Sequence, residues 1–70
     1  MQEQIKNMVN TLRVRHIITQ EALAEALGVS RQTVIAIEKQ NYTPSVLLAL
    51  KISAYFKVSV EDVFKIIHSK

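Results

Sequence analysis

Arg31, Gln32, Ile35, Ala36 and Lys39 lie within one short stretch whose spacing matters. On a helix turning about 100° per residue, Gln32, Ile35, Ala36 and Lys39 gather on one side and Val34 and Ile37 on the other, with Arg31 beside the first group. The first face combines a fork of N–H donors, an amide that both donates and accepts, two small or apolar side chains and a cation. Those groups match the edges of base pairs in a major groove: Arg to guanine O6 and N7, Gln to adenine N6 and N7, Ile or Ala to a thymine methyl. Five such residues on any solvated helix would look alike, so the elements that hold them must decide.

Thr19 reads as an N-cap, followed by Gln20 and by Glu21, whose charge complements the helix dipole. The spacing predicts a helix over 20–27 that buries Leu23 and Leu27, with Gly28 at the left-handed position that closes it. Ser30 is the next N-cap, and a helix over 31–39 follows that packs Val34 and Ile37 inward. Two short helices joined by Gly28-Val29-Ser30 form the helix-turn-helix pattern, which presents its second helix to the major groove.

Three further helices are expected around this pair. Ile5, Met8, Val9 and Leu12 fall at i, i+3, i+4 and i+7, which predicts an amphipathic first helix. Its end carries no glycine, and the β-branched pair Ile17-Ile18 is poorly suited to a left-handed residue, so His16 or the linker is expected to absorb the turn. After a loop at Gln40-Asn41-Tyr42, Thr43 and Pro44 read as cap and first residue of a helix running to Phe56, with a stripe of Val46, Ala49, Ser53 and Phe56. Ser59 with Asp62 reads as a capping box before a last stripe of Val60, Val63, Phe64 and Ile67. Met8 and Phe64 are expected in the core. The expected architecture is all-α: five helices in a single DNA-binding domain over 1–70, with the helix-turn-helix at about 20–39.

Composition narrows the functional classes. The 70 residues are 49% hydrophobic and 21% charged, with one Gly, one Pro and no Cys, which describes a small folded domain without disulfides or thiolate metal sites. The longest apolar run, 46–50, is far too short to span a bilayer, and no signal peptide is read at the start, so a soluble cytoplasmic protein is expected. His16 and His68 stand apart from any ligand cluster, and nothing groups Asp62, His68 and Ser69 around a pocket. No enzyme activity, metal, cofactor or small-molecule ligand is therefore expected. The net charge is +3, but residues 1–42 carry five basic against four acidic side chains. With so small an electrostatic footprint, a lone copy should hold DNA weakly, and two copies on a palindromic site are expected.

The stretch from Thr19 to Val34, together with Ala36-Ile37-Glu38, Tyr42, Pro44-Ser45 and Val58 to Phe64, closely resembles the phage-repressor and Cro-type, or Xre-type, helix-turn-helix family. Its core is similar to "TQEELAEKLGVSRQTI", and the likeness covers nearly the whole chain from Ile5. The resemblance implies a sequence-specific regulator of transcription acting on double-stranded DNA, usually a repressor. It further implies that Arg31, Gln32, Ile35 and Ala36 read bases. Gln20, Ser30 and Thr33 would hold the DNA backbone at helix starts, where anions are favoured, and Lys39, Gln40, Asn41 and Tyr42 would grip the second strand. The family often has glycine where this chain has Ile17, Gln40 and Lys57.

Leu47 and Ala54 also depart from the family, which commonly has Glu and Lys there. With Leu50 they make a second apolar stripe on the fourth helix, and these three with Ile66 are expected to form a homodimer interface. The same stripe leaves another reading open, an antitoxin-like protein-interaction module in which DNA binding is secondary or lost.

Overall fold

The computed structural model describes residues 2–69, in the order β1 (Gln2–Asn7), α1 (Val9–Arg15), α2 (Gln20–Leu27), α3 (Arg31–Glu38), α4 (Val46–Phe56), α5 (Val60–Val63) and β2 (Phe64–Ser69). Five helices are present, but the architecture is not all-α. The two ends of the chain pair as an antiparallel ribbon in which Ile5 lies opposite Ile66 and Asn7 opposite Phe64.

The ribbon corrects both ends of the sequence reading. Met8, Val9 and Leu12 do sit on or beside α1, but Ile5, which shares their period, belongs to β1. At the other end α5 lasts a single turn, and Phe64 and Ile67 belong to β2. Met8 donates its N–H to the Val63 carbonyl at 2.8 Å, so the ribbon meets the helices where α1 begins and α5 stops. Helical periodicity is a local signal, and strand pairing between positions some sixty residues apart overrode it.

Local capping chemistry sets most helix starts. The side chains of Thr19, Ser30 and Ser59 accept from the backbone N–H of Ala22, Thr33 and Asp62, and Ser59 with Asp62 completes a capping box. The cap of α4 is Ser45, which accepts from Leu48, and not Thr43; Pro44 therefore lies before the helix. Gly28 ends α2 in the left-handed region at φ 75°. Ile17, Gln40 and Lys57 also have positive φ, of 57°, 64° and 59°. Ile17 itself thus absorbs the turn after α1, against expectation, although a β-branched residue there is strained.

The core comprises Val9, Leu12, Leu23, Ala24, Leu27, Val34, Ile37, Leu48, Ile52, Phe56 and Val63, with Met8, Ile18, Val29, Val58 and Phe64 packed at its margin. On α4 the inward stripe is Leu48, Ile52, Ser53 and Phe56; Val46 is 77% exposed and Ala49 only partly covered. The inward side is thus rotated relative to the expected stripe, with Leu48 and Ile52 filling the core in place of Val46 and Ala49. Buried Ser53 is satisfied by donating its hydroxyl to the Ala49 carbonyl at 2.9 Å.

Candidate nucleic-acid interface

The turn between α2 and α3 aims the second helix. Leu23, Ala24 and Leu27 of α2 and Val34 and Ile37 of α3 are buried against the core, so the remaining sides of α3 are turned outward. Arg31 and Gln32 are exposed, and Ile35 and Ala36 are half-buried along the same helix. Ser30 and Thr33 share a hydroxyl–hydroxyl bond of 3.1 Å at the start of α3. Gln20 sits in the first turn of α2. Arg13, Thr19, Gln20, Glu21 and Arg31 line one open groove of roughly 420 Å³, which brings the start of α2 and the start of α3 onto one surface.

Beyond α3, Lys39 and Asn41 are exposed and Tyr42 is 45% exposed. Asn41 donates its backbone N–H to the Ala36 carbonyl at 3.0 Å, which folds the loop back over the end of α3. Gln40 is engaged differently. Its Oε1 accepts from the backbone N–H and from Nδ2 of Asn7, both at 3.3 Å, and its Nε2 donates to the Asn7 carbonyl at 3.4 Å. Its amide is therefore spent on β1, and its left-handed main chain shapes the loop.

Behind α3 lies a polar cluster that the sequence reading passed over. Arg13 on α1 donates Nε to Glu38 Oε2 at 2.6 Å and Nη2 to Oε1 at 3.3 Å, and its Nη1 reaches the Ile18 carbonyl at 2.8 Å. Asn10 and Gln20 donate to the same Glu38 oxygen at 3.0 and 3.1 Å. The two charged side chains are only 15% and 5% exposed. Burial pushes the Glu38 carboxyl up, but the hydrogen bonds from Arg13, Asn10 and Gln20, with the Arg13 charge, outweigh it and hold its pKa below the usual carboxylate value. One carboxylate thus ties α1 and α2 to the last turn of α3 and orients Gln20 on the groove. A signal for it does exist in the sequence: an acid in the last turn of a helix opposes the dipole and implies a partner from elsewhere.

Asn7 is the second residue that was passed over. It is buried, its Nδ2 donates to the Ile37 carbonyl at 2.9 Å and its Oδ1 accepts from Val9 at 3.1 Å, so it closes the end of α3 and the start of α1 together. No helix of the structure is long and apolar enough to cross a membrane, and no group of three or more metal-ligating side chains occurs among the described residues.

A family model described as helix-turn-helix matches residues 9–63, which contain α1 through α5. The chain belongs to this family, of the Xre type. It is similar to an uncharacterized HTH-type transcriptional regulator of Methanocaldococcus jannaschii, at 55% identity over 86% of this chain and 91% of the relative. It is also similar to the uncharacterized HTH-type transcriptional regulator YgzD of Bacillus subtilis, at 57% identity over the same shares. The match to this helix-turn-helix family begins at Val9 and ends at Val63, so the ribbon lies outside the matched segment.

Proposed function

We propose that this helix-turn-helix protein represses transcription by occupying promoter DNA as a cytoplasmic homodimer on a palindromic site. That it is a DNA-binding transcriptional regulator follows from its family. The observation that carries the finer reading is the orientation of α3, whose buried side is fixed by Val34 and Ile37 and whose free side presents Arg31 and Gln32.

In this reading α3 enters the major groove. Arg31, Gln32, Ile35 and Ala36 meet base edges, with Gln32 offering one donor and one acceptor to adenine. Gln20, Ser30 and Thr33 meet phosphates at the starts of α2 and α3, where free N–H groups favour anions. Lys39, Asn41, Tyr42 and the main chain at Gln40 hold the opposite strand. Two copies are needed because the charge available on residues 1–42 is small, and a symmetric pair doubles the phosphate contacts. Leu47, Leu50 and Ala54 on α4 and Ile66 on β2 are all exposed, as surfaces for self-association must be.

Selection of duplexes from a random library at about 150 mM salt tests this reading, because non-specific attraction is partly screened there. Enrichment of a palindrome with half-sites about 10 base pairs apart, or a multiple of that, is the expected result. Weak, salt-sensitive retention without an enriched sequence would refute it. The exposed apolar stripe of α4 would then favour the reading as a partner-binding module.

A further inference from the structure

We infer that the Gln40 side chain is a positioning residue for DNA binding: by pairing with the main chain of Asn7 it ties the loop of Lys39, Asn41 and Tyr42 to β1 and holds that loop in its gripping shape. The inference rests on the proposed reading only in assigning this loop to the DNA backbone.

Four helices of this chain close in the same way. At the ends of α1, α2, α3 and α4, Ile17, Gly28, Gln40 and Lys57 have positive φ. Each donates its N–H to the carbonyl three residues before it, and the following residue donates to the carbonyl five before it. Gln40 thus bonds to Ile37 and Asn41 to Ala36, both at 3.0 Å, as Gly28 bonds to Glu25 and Val29 to Ala24. Such a closure needs nothing from a side chain at the left-handed position, and glycine fills it with the least strain. Gly28 has no side chain to tether, Ile17 is 90% exposed and Lys57 is exposed. Among the described residues, Gln40 alone of the four is bonded through its side chain to another element.

The bonds it makes are those of a neighbouring strand. Its Oε1 accepts the Asn7 N–H at 3.3 Å and its Nε2 donates to the Asn7 carbonyl at 3.4 Å, so one side-chain amide takes both main-chain groups of the last residue of β1. Oε1 also accepts from Asn7 Nδ2 at 3.3 Å, and that Nδ2 donates to the Ile37 carbonyl at 2.9 Å. The same carbonyl receives the Gln40 N–H, so the closure of α3 and the end of β1 meet at one atom. Asn7 is buried and held further by Val9, which makes it a fixed point. Each tether bond is longer than the usual range of about 2.7–3.2 Å, so the clasp holds by number and not by any one bond.

Lys39 and Asn41 flank the clasp and Tyr42 follows it, all three exposed. Contacts to phosphate depend on where a few such groups point, and a loop already held in its bound shape loses less freedom on binding. The closure of α3 does not require the tether, so its value lies in what the loop does next. It also gives β1, which lies outside the segment matched by the family, a part in DNA binding.

Two variants of the full chain remove the tether and keep the turn. Gln40→Gly takes the left-handed φ with less strain. Gln40→Asn keeps an amide at a φ that asparagine tolerates, but is one methylene too short to reach Asn7. Both should fold, with melting temperatures within a few degrees of wild type. Without DNA, hydrogen exchange at the Asn41 N–H should quicken about tenfold in both, while exchange at Val34 and Ile37 is unchanged. On an arbitrary duplex at about 50 mM salt, Kd should rise about three- to tenfold, by the same factor on every sequence. Wild-type exchange with wild-type Kd would overturn the inference. Faster exchange with wild-type Kd would reduce the tether to an anchor of the ribbon, and a raised Kd with wild-type exchange would make Gln40 a direct DNA contact; either result overturns it too. A plain duplex at low salt is held without an operator, so failure to enrich a palindrome counts against the operator reading alone.

Discussion

The helix-turn-helix and the terminal ribbon are built by opposite means. In α2 and α3 each boundary has its own local cause: Thr19 and Ser30 cap, Gly28 turns, and Leu23, Leu27, Val34 and Ile37 fall at helical spacing. The ribbon has almost none of this. Its strands come from the two ends of the chain, and an isolated two-stranded hairpin is at best marginally stable in water. What anchors it is Asn7, which bonds to Ile37, Val9 and Gln40 at once. The region that presents α3 is thus determined locally and locked by one buried ion pair. The ribbon depends on long-range contacts throughout.

Breaking the lock should have the largest effect. Arg13→Ala strands the buried Glu38 carboxylate and should cost about 3–5 kcal/mol in chemical denaturation, enough to threaten folding of so small a domain. The same cluster sets an acid limit. Because the folded-state pKa of Glu38 lies below its ordinary value of 4.5, its contribution is fully present above that value and is lost as pH falls through the folded pKa. Thermal melts of wild type across that acid range should show the decline, and Glu38→Gln should flatten it.

Asn7→Ala should cost about 2–3 kcal/mol, since the Ile37 carbonyl and the Val9 N–H lose their buried partner. A loss near zero would mean that the ribbon is not anchored through Asn7. On DNA, Gln32→Ala should cost about 1–3 kcal/mol on the preferred site and relax specificity, whereas Lys39→Ala should weaken all sequences alike. Equal losses on every sequence for Gln32 would remove it from the base-reading set. The smallest effect concerns the turn before α2. Ile17 is 90% exposed at a positive φ, so Ile17→Gly should relieve left-handed strain and raise stability by up to about 1 kcal/mol, offset in part by the added freedom of the unfolded chain. A drop in melting temperature would show that Ile17 makes a contact worth more than its strain.

The misread elements share a cause. Ile5 matches the helical period of Met8, Val9 and Leu12, and Phe64 and Ile67 that of Val60 and Val63, because apolar residues near a helix end can fall on its period by coincidence. Thr43 reads as the cap of α4 in the sequence, whereas the helix that buries Leu48 and Ile52 is capped by Ser45. Gln40 and Lys57 adopt the positive φ for which the family often uses glycine, and nothing about a glutamine or a lysine announces it.

From the sequence alone came the capped helices of the helix-turn-helix, the left-handed Gly28, the inward Val34 and Ile37, and the polar set Arg31 and Gln32 left free by them. Those are properties of neighbours a few residues apart, where hydrogen-bonding reach and helical period are enough. The tertiary structure decided the ribbon, the rotation of α4, and the Arg13–Glu38 and Asn7 clusters. Each joins groups far apart in the chain, and such contacts form only once the intervening helices have packed, so no local pattern encodes them.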